Sequence, residues 1–185
     1  MPEFRHETDR LILRDWREDD WPRFFAVTNT PAVMRWLGGV LDEAGEAAQR
    51  HRVESCAAQH GHCFWVVERK AANSDKGGEL LGFCGLKRAD APGSTVTGMH
   101  EIGWRLREDA WGKGYAKEAA LASLDLAFSK FGAEEVVALT VADNTASWGL
   151  MERLGMRRRA ELDYPDPRYD PPWRDTIVYS LARDA

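Results

Sequence analysis

Glu101-Ile102-Gly103-Trp104-Arg105-Leu106-Arg107, then Glu108-Asp109-Ala110, then Trp111-Gly112-Lys113-Gly114-Tyr115-Ala116, is the stretch that decides how this chain folds. Ile102, Trp104 and Leu106 alternate with Glu101, Gly103 and Arg105, which predicts a strand with one apolar and one polar face. After a short turn with two glycines the period changes. Ala116, Ala120, Leu124, Ala127, Phe128 and Phe131 recur every three or four residues, as in an amphipathic helix, and Gly132 supplies its stop. Glycines between a strand end and a helix start let successive backbone N–H groups face one concavity, where the helix dipole adds positive potential. Such a turn is an anion cradle of a kind that suits a diphosphate, and a tight turn without a ligand is the plain alternative. Neither common phosphate template fits: a P-loop needs four residues between its glycines, where only Lys113 stands, and a Rossmann fingerprint from Gly112 would need Gly or Ala at Lys117.

Upstream, residues 10–14 read as an opening strand, and Glu18, Asp19, Asp20 and Pro22 mark a helix start running toward Asn29. A second helix is predicted over residues 42–59. Residues 63–69 and 79–87 are β-rich and are joined by the polar, Gly-ended connection of residues 71–78, as in a hairpin. A further strand is expected over residues 99–107. Downstream, residues 136–141 are apolar on both alternations, which predicts a strand covered on both faces. Asn144 is a good N-cap for a short helix closed by Gly155, and late β segments are expected at residues 157–162 and 176–181. No repeat or linker divides the chain. The expected architecture is one α/β domain over residues 1–185, with a mixed, mostly antiparallel central sheet and helices on both faces.

The chain has 185 residues, 44% of them hydrophobic and 30% charged, which places it with ordinary globular domains. Twenty-five Lys and Arg against 30 Asp and Glu give a formal net charge of −5, which argues against nucleic acid as a partner. Cys56, Cys63 and Cys84 are odd in number and lack Cys-x-x-Cys spacing, so neither a disulfide framework nor a metal site is expected. The first residues form no apolar signal core, and no apolar run approaches the roughly 18 residues that cross a bilayer. A reducing cytoplasm without membrane contact is the expected setting, with monomer and homodimer both open.

Five segments in order carry a resemblance over nearly the whole chain. They are Thr8-Asp9-Arg10-Leu11-Ile12-Leu13-Arg14, Glu101-Ile102-Gly103-Trp104, Trp111-Gly112-Lys113-Gly114-Tyr115-Ala116-Lys117-Glu118-Ala119, Asn144-Thr145-Ala146-Ser147 and Glu152-Arg153-Leu154-Gly155-Met156. Together they resemble the GNAT superfamily of N-acetyltransferases. The superfamily's acetyl-CoA signature, Gln/Arg-x-x-Gly-x-Gly/Ala, is met by Trp111 to Ala116 with Trp in the leading position, and that Trp resembles the branch acting on ribosomal-protein N-termini. The resemblance implies two central strands that splay apart, helices on both faces, and acetyl-CoA as cosubstrate. Its diphosphate would rest on Trp111, Gly112, Lys113, Gly114, Tyr115 and Ala116, and its pantetheine arm beside Trp104, Arg105 and Leu106. Gly103 within a strand independently suggests a bulge or close backbone approach.

Acetyl transfer requires a neutral amine, and an α-amine or a lysine, with pKa about 8 or about 10.4, must first lose a proton. Glu101 is the best candidate for the base, acting through water, and the plain alternative is a solvated strand carboxylate or the partner of an arginine. His100 ranks second because it points to the other face. Where many superfamily members place a thiolate-protonating tyrosine this chain has Met151, and the resemblance offers Ser147 instead. Asn144 is expected to cap its helix through oxygen, leaving its amide nitrogen for pantetheine. The expected function is acetyl transfer to a primary amine, either a protein N-terminus or a small molecule, by direct attack in a ternary complex. The alternative is a non-catalytic acyl-CoA sensor, which the missing tyrosine favours.

Several other features have expected places. The three cysteines lie far in sequence from the glycine turn and receive no nucleophilic role. The loop over residues 161–175 has four of the eight prolines and five acidic residues against Arg168 and Arg174, and is expected to form a stiff, negative wall of the acceptor site. Within it Tyr164, Tyr169 or Trp173 would meet the amine. Trp16, Trp21, Trp36, Trp65 and Trp148 are expected in the core or at its rim, and Arg157-Arg158-Arg159 on a solvated edge unless it reaches the CoA 3′-phosphate.

Overall fold

A computed structural model describes residues 3–71 and 78–183, so most of the connection over residues 71–78 lies outside the described residues. Among the described residues nine strands form one sheet: β1 Arg5–Glu7, β2 Leu11–Arg14, β3 Trp65–Arg69, β4 Glu79–Arg88, β5 His100–Leu106, β6 Glu135–Val141, β7 Arg157–Arg158, β8 Tyr164–Pro165 and β9 Asp175–Ala182. Their order is β1-β2-β3-β4-β5-β6-β9-β7, with β8 on β9 off that path. Every pairing is antiparallel except β5 with β6. The helices are α1 Asp20–Thr28, α2 Pro31–Met34, α3 Glu43–His60, α4 Tyr115–Ser129 and α5 Thr145–Arg153.

Hydrophobic periodicity places the helices on both faces. From α4, Ala119, Ala120, Leu124 and Ala127 pack on Leu13, Leu86, Ile102 and Leu106, joined by Leu150 and Met151 of α5. On the other face, Trp21, Phe24 and Phe25 of α1 and Val53 of α3 cover Val66, Leu80 and Phe83. The start of α1 is fixed by a buried ionic cluster. Arg14 forks onto Asp20 at 2.6 and 2.9 Å and reaches Glu68 at 2.9 Å.

Three short elements, β1, α2 and β8, carry no legible period in the sequence because each spans one turn or less of side-chain pattern. Thr30 starts α2 by accepting from the Val33 N–H. The β segment expected at residues 157–162 is a correction. Only Arg157–Arg158 pair with β9, and Ala160–Leu162 turn into a 3₁₀ helix.

One irregularity dominates the sheet. β5 and β6 pair only at His100/Val136, Glu101/Val137 and Ile102/Ala138. β4 stays paired with β5 as far as Leu106, and β9 stays paired with β6 as far as Val141. From Gly103 and Leu139 onward the two inner edges therefore part, and the backbone groups of β5 that point away from β4 have no ladder partner. Gly82 brings β4 and β5 close at that point. At its φ of +144° a Cβ would lie 2.0 Å from the Arg105 carbonyl oxygen. Among the described residues no helix is long and apolar enough to cross a membrane.

Candidate active site

The glycine turn sits at the mouth of this gap. Gly112 and Gly114 have φ of +70° and +80°, and Gly114 is the residue on which α4 begins. No side chain caps α4, so the N–H groups of its first turn remain directed outward. A Cβ at Gly112 would meet nothing within 4 Å, and at Gly114 only the Arg10 guanidinium at 3.3 Å, so the concavity is open. Trp111 donates its indole N–H to the Leu106 carbonyl at 2.9 Å and so ties the turn to the end of β5. Arg10 braces the other side, donating to the Lys113 carbonyl at 2.9 Å and to Glu118 at 2.6 Å while its guanidinium lies over the Tyr115 ring. Thr8 also binds Glu118, so the acidic side chain in the first turn of α4 is taken up by β2 and its approach, away from the concavity. These open, uncapped amides fit a diphosphate.

On the face away from α4 the gap opens into a cavity of about 310 Å³. Glu101 and Arg105 of β5 and Leu139, Thr140 and Val141 of β6 line it. Glu101 has little exposure and pairs with Lys87 at 3.3 Å, directly opposite on β4. Burial pushes its pKa above the ordinary carboxylate range, and the Lys87 ammonium opposes that rise. The sequence suggested an arginine as the structural partner; the partner is Lys87, which also holds Asp90. His100 is removed from this chemistry. It is buried on the opposite face with its ring 6.0 Å from that of His62, and burial holds its pKa low.

Trp104 packs toward the α4 face, whereas the Arg105 side chain faces the cavity, so any approach of Arg105 to a pantetheine arm is through its backbone. Asn144 does not cap its helix as expected. Its backbone, at φ −81° and ψ 66°, aims no side-chain oxygen at the helix, and its Nδ2 donates to Thr140 Oγ1 at 3.0 Å. Ser147, half-buried in the first turn of α5, keeps its hydroxyl without a partner among the described residues. Met151 is core.

The loop over residues 161–175 reaches the cavity through Tyr164, Asp166, Arg168, Tyr169 and Trp173, where Arg168 offsets the charge of Asp166. Arginines neutralise Glu161, Asp163, Asp166 and Asp175 locally, and Asp166 is buried against Arg168. Arg158 and Arg159 are held in such pairs, while Arg157 is exposed on the edge. Trp21 and Trp65 are core, while Trp36 lines the cavity. Cys56 and Cys63 also stand in its wall despite their sequence distance from the turn. The neighbouring Cys63 thiol lowers the pKa of Cys56 against the effect of burial, and Cys56 Sγ donates to the His62 carbonyl oxygen at 3.7 Å.

A sheet that parts at its parallel pair, entered past an open glycine turn, defines the acetyltransferase class that the motifs resemble. The chain belongs to the GNAT acetyltransferase family: residues 10–157 match the family described as "Acetyltransferase (GNAT) domain". The uncharacterized protein YkkB of Bacillus subtilis (strain 168) is 32% identical over 150 residues, covering 80% of this chain and 83% of its own. The FsC-acetyl coenzyme A-N(2)-transacetylase of Aspergillus fumigatus is 35% identical over 164 residues, covering 83% of this chain and 66% of its own. An acetyltransferase structure from Agrobacterium tumefaciens has a TM-score of 0.78 at 26% identity, covering 99% of this chain and 95% of that one. The protein is thus an N-acetyltransferase by class.

Proposed function

We propose that this protein, acting as one domain, transfers the acetyl group of acetyl-CoA to a primary amine by direct attack in a ternary complex. The observation that carries the reading is the gap between β5 and β6, which joins the glycine turn at one end to the cavity holding Glu101 at the other. The chain's own groups then have distinct tasks. Amides from Gly112 to Ala116 bind the diphosphate, and the unpaired edge of Trp104, Arg105 and Leu106 offers strand-like hydrogen bonds to the pantetheine arm. Glu101 takes the amine's proton through water, its raised pKa matching it to that task, and Lys87 keeps it in place. The free hydroxyl of Ser147 is suited to protonating the leaving thiolate. Trp111 supports the ribosomal-protein N-terminal branch, and the acceptor classes that fit are a protein α-amine and a small amine.

Release of CoA thiol in the presence of an amine panel tests the reading directly. Glu101→Gln is expected to lower kcat by roughly 100-fold at neutral pH, with partial recovery as pH nears the amine's own pKa. Wild-type rates in that variant throughout the range would return Glu101 to a strand carboxylate. Cys56→Ala is expected to keep its rate, since the route needs no acyl-enzyme. Gly114→Asp is expected to abolish CoA binding in calorimetry while lowering the apo melting temperature by only a few degrees.

A further inference from the structure

Charge accounting in the cavity leaves one group unexplained. Of the carboxylates in its wall, Glu101 and Asp90 are held by Lys87, and Asp166 by Arg168. Arg52 and Arg105 also line it, and among the described residues neither has a carboxylate within ion-pair distance. Arg105 is the unusual one. It extends from β5 beside the packed rings of Phe24 and Phe83, 5.8 and 5.4 Å from their centroids, and burial lowers its pKa to about 10, with Arg52 adding to that fall. Its only protein acceptor among the described residues is Gln49 Oε1, 2.9 Å from Nη1, and its buried Nε has none. A guanidinium carries five N–H donors in a planar fork, and seating it partly out of water without a counter-ion is costly.

The surroundings show what would complete it. Gln49, Arg52, Val53 and Cys56 form the stripe of α3 that faces the cavity, so the helix adds a second cation and an amide beside Arg105. Along β5, Glu101 and Arg105 lie on one face four positions apart, about 13 Å between Cα atoms, with Gly103 midway. Phe64 covers Gly103 closely, for a Cβ there would come within 3.0 Å of its ring. The proton-accepting end of the cavity and its free cationic end are therefore separate and of opposite character.

We infer that Arg105, with Arg52 and Gln49, forms an anion subsite for the acceptor, and that the acceptor is a small amine carrying a carboxylate. This rests on the acetyltransferase reading above and narrows the amine the site takes. The two oxygens of a carboxylate match the planar guanidinium fork, and the ligand supplies the counter-ion that the fold withholds.

The test compares ω-amino acids having one to five methylenes between amine and carboxylate with their carboxamides, by calorimetry on wild type with and without saturating CoA. At one or more lengths the acid is expected to bind at least ten-fold more tightly than its amide. Arg105→Gln is expected to erase that preference, and Arg52→Gln, on an exposed position, to reduce it several-fold. Equal binding of acid and amide at every length, absence of binding by every acid, or a preference that survives both substitutions would overturn the inference. A loss of CoA affinity parallel to the loss of acid binding in Arg105→Gln would also overturn it, by making Arg105 a cofactor residue. The acetyltransferase reading has its own readout in the thiol-release assay, since it fails if wild type binds no CoA or releases no thiol with any amine of the panel.

Discussion

His62 shows at the scale of one residue how burial, without a ligand, sets chemistry. Its ring stacks on Phe131 at 4.1 Å, its Nδ1 lies 3.1 Å from the His60 carbonyl, and its Nε2 has no partner among the described residues. Burial lowers its pKa to about 4, and His100, Arg88 and His60 add repulsion. As pH falls through the ordinary histidine range the unfolded chain takes up a proton that the folded one refuses, so stability declines between about pH 6.5 and pH 4 and levels off below. The loss from this residue is about 3 kcal/mol. Urea denaturation across that window should show the slope, and His62→Phe should remove most of it, leaving the smaller share of His100. A slope unchanged in the variant would place the acid sensitivity elsewhere. None of this was legible from the sequence, in which His62 is one of five scattered histidines. The face of Glu101 was legible from strand alternation, whereas its partner Lys87 was not, because only the β4–β5 register sets those two residues opposite each other.

At the scale of an element, β5 carries both Glu101, the proposed base, and the wall of the gap, and its last residues lean on Gly82 of β4. Replacing Gly82 by Ala would place a methyl group 2.0 Å from the Arg105 carbonyl and 2.8 Å from the Leu106 Cα, at a φ that L-residues avoid. A cost of about 3 kcal/mol or more is expected in chemical denaturation, together with weaker CoA binding as Arg105 and Leu106 shift. Gly112→Ala is the contrast, since it has the strained φ but an open surround, and should cost only about 1 kcal/mol. Similar losses in both variants would show that φ alone matters. The long elements, α3, α4, β4, β5 and β6, were legible because each spans several repeats of its own period. Asn144 was not, since the preference of Asn for an N-cap says nothing about a backbone that turns its side chain back to Thr140. The loop over residues 161–175 misled in another way. Its acids outnumber its own arginines in sequence, but Arg158 and Arg159 from the preceding edge fold back to neutralise Asp163 and Glu161.

Across the whole molecule the sheet is two ladders, β1 to β5 and β6 with β9, β7 and β8, joined at only three paired positions before they part. Packing of α4 and α5 holds them together below the gap, and above it no ladder hydrogen bonds cross from β5 to β6. A ligand lying in that gap and resting on the glycine turn would touch both ladders, so its binding energy would appear as stability of the whole fold. At 100 times its Kd, CoA should stabilise the protein by about 2.7 kcal/mol, which for a chain of this length raises the melting temperature by roughly 5–10 °C. Gly114→Asp should lose that rise, with the apo melting temperature lowered by only a few degrees for its positive φ. Hydrogen exchange then locates the effect. With CoA bound, amides from Gly103 to Leu106 should slow most, followed by those from Leu139 to Val141, with little change in β1 at the far edge, because only the first two groups border the gap. Slowing confined to the first turn of α4 would mean that the turn binds the diphosphate while the gap stays empty, and the route from acetyl-CoA to Glu101 would then have to lie outside the sheet.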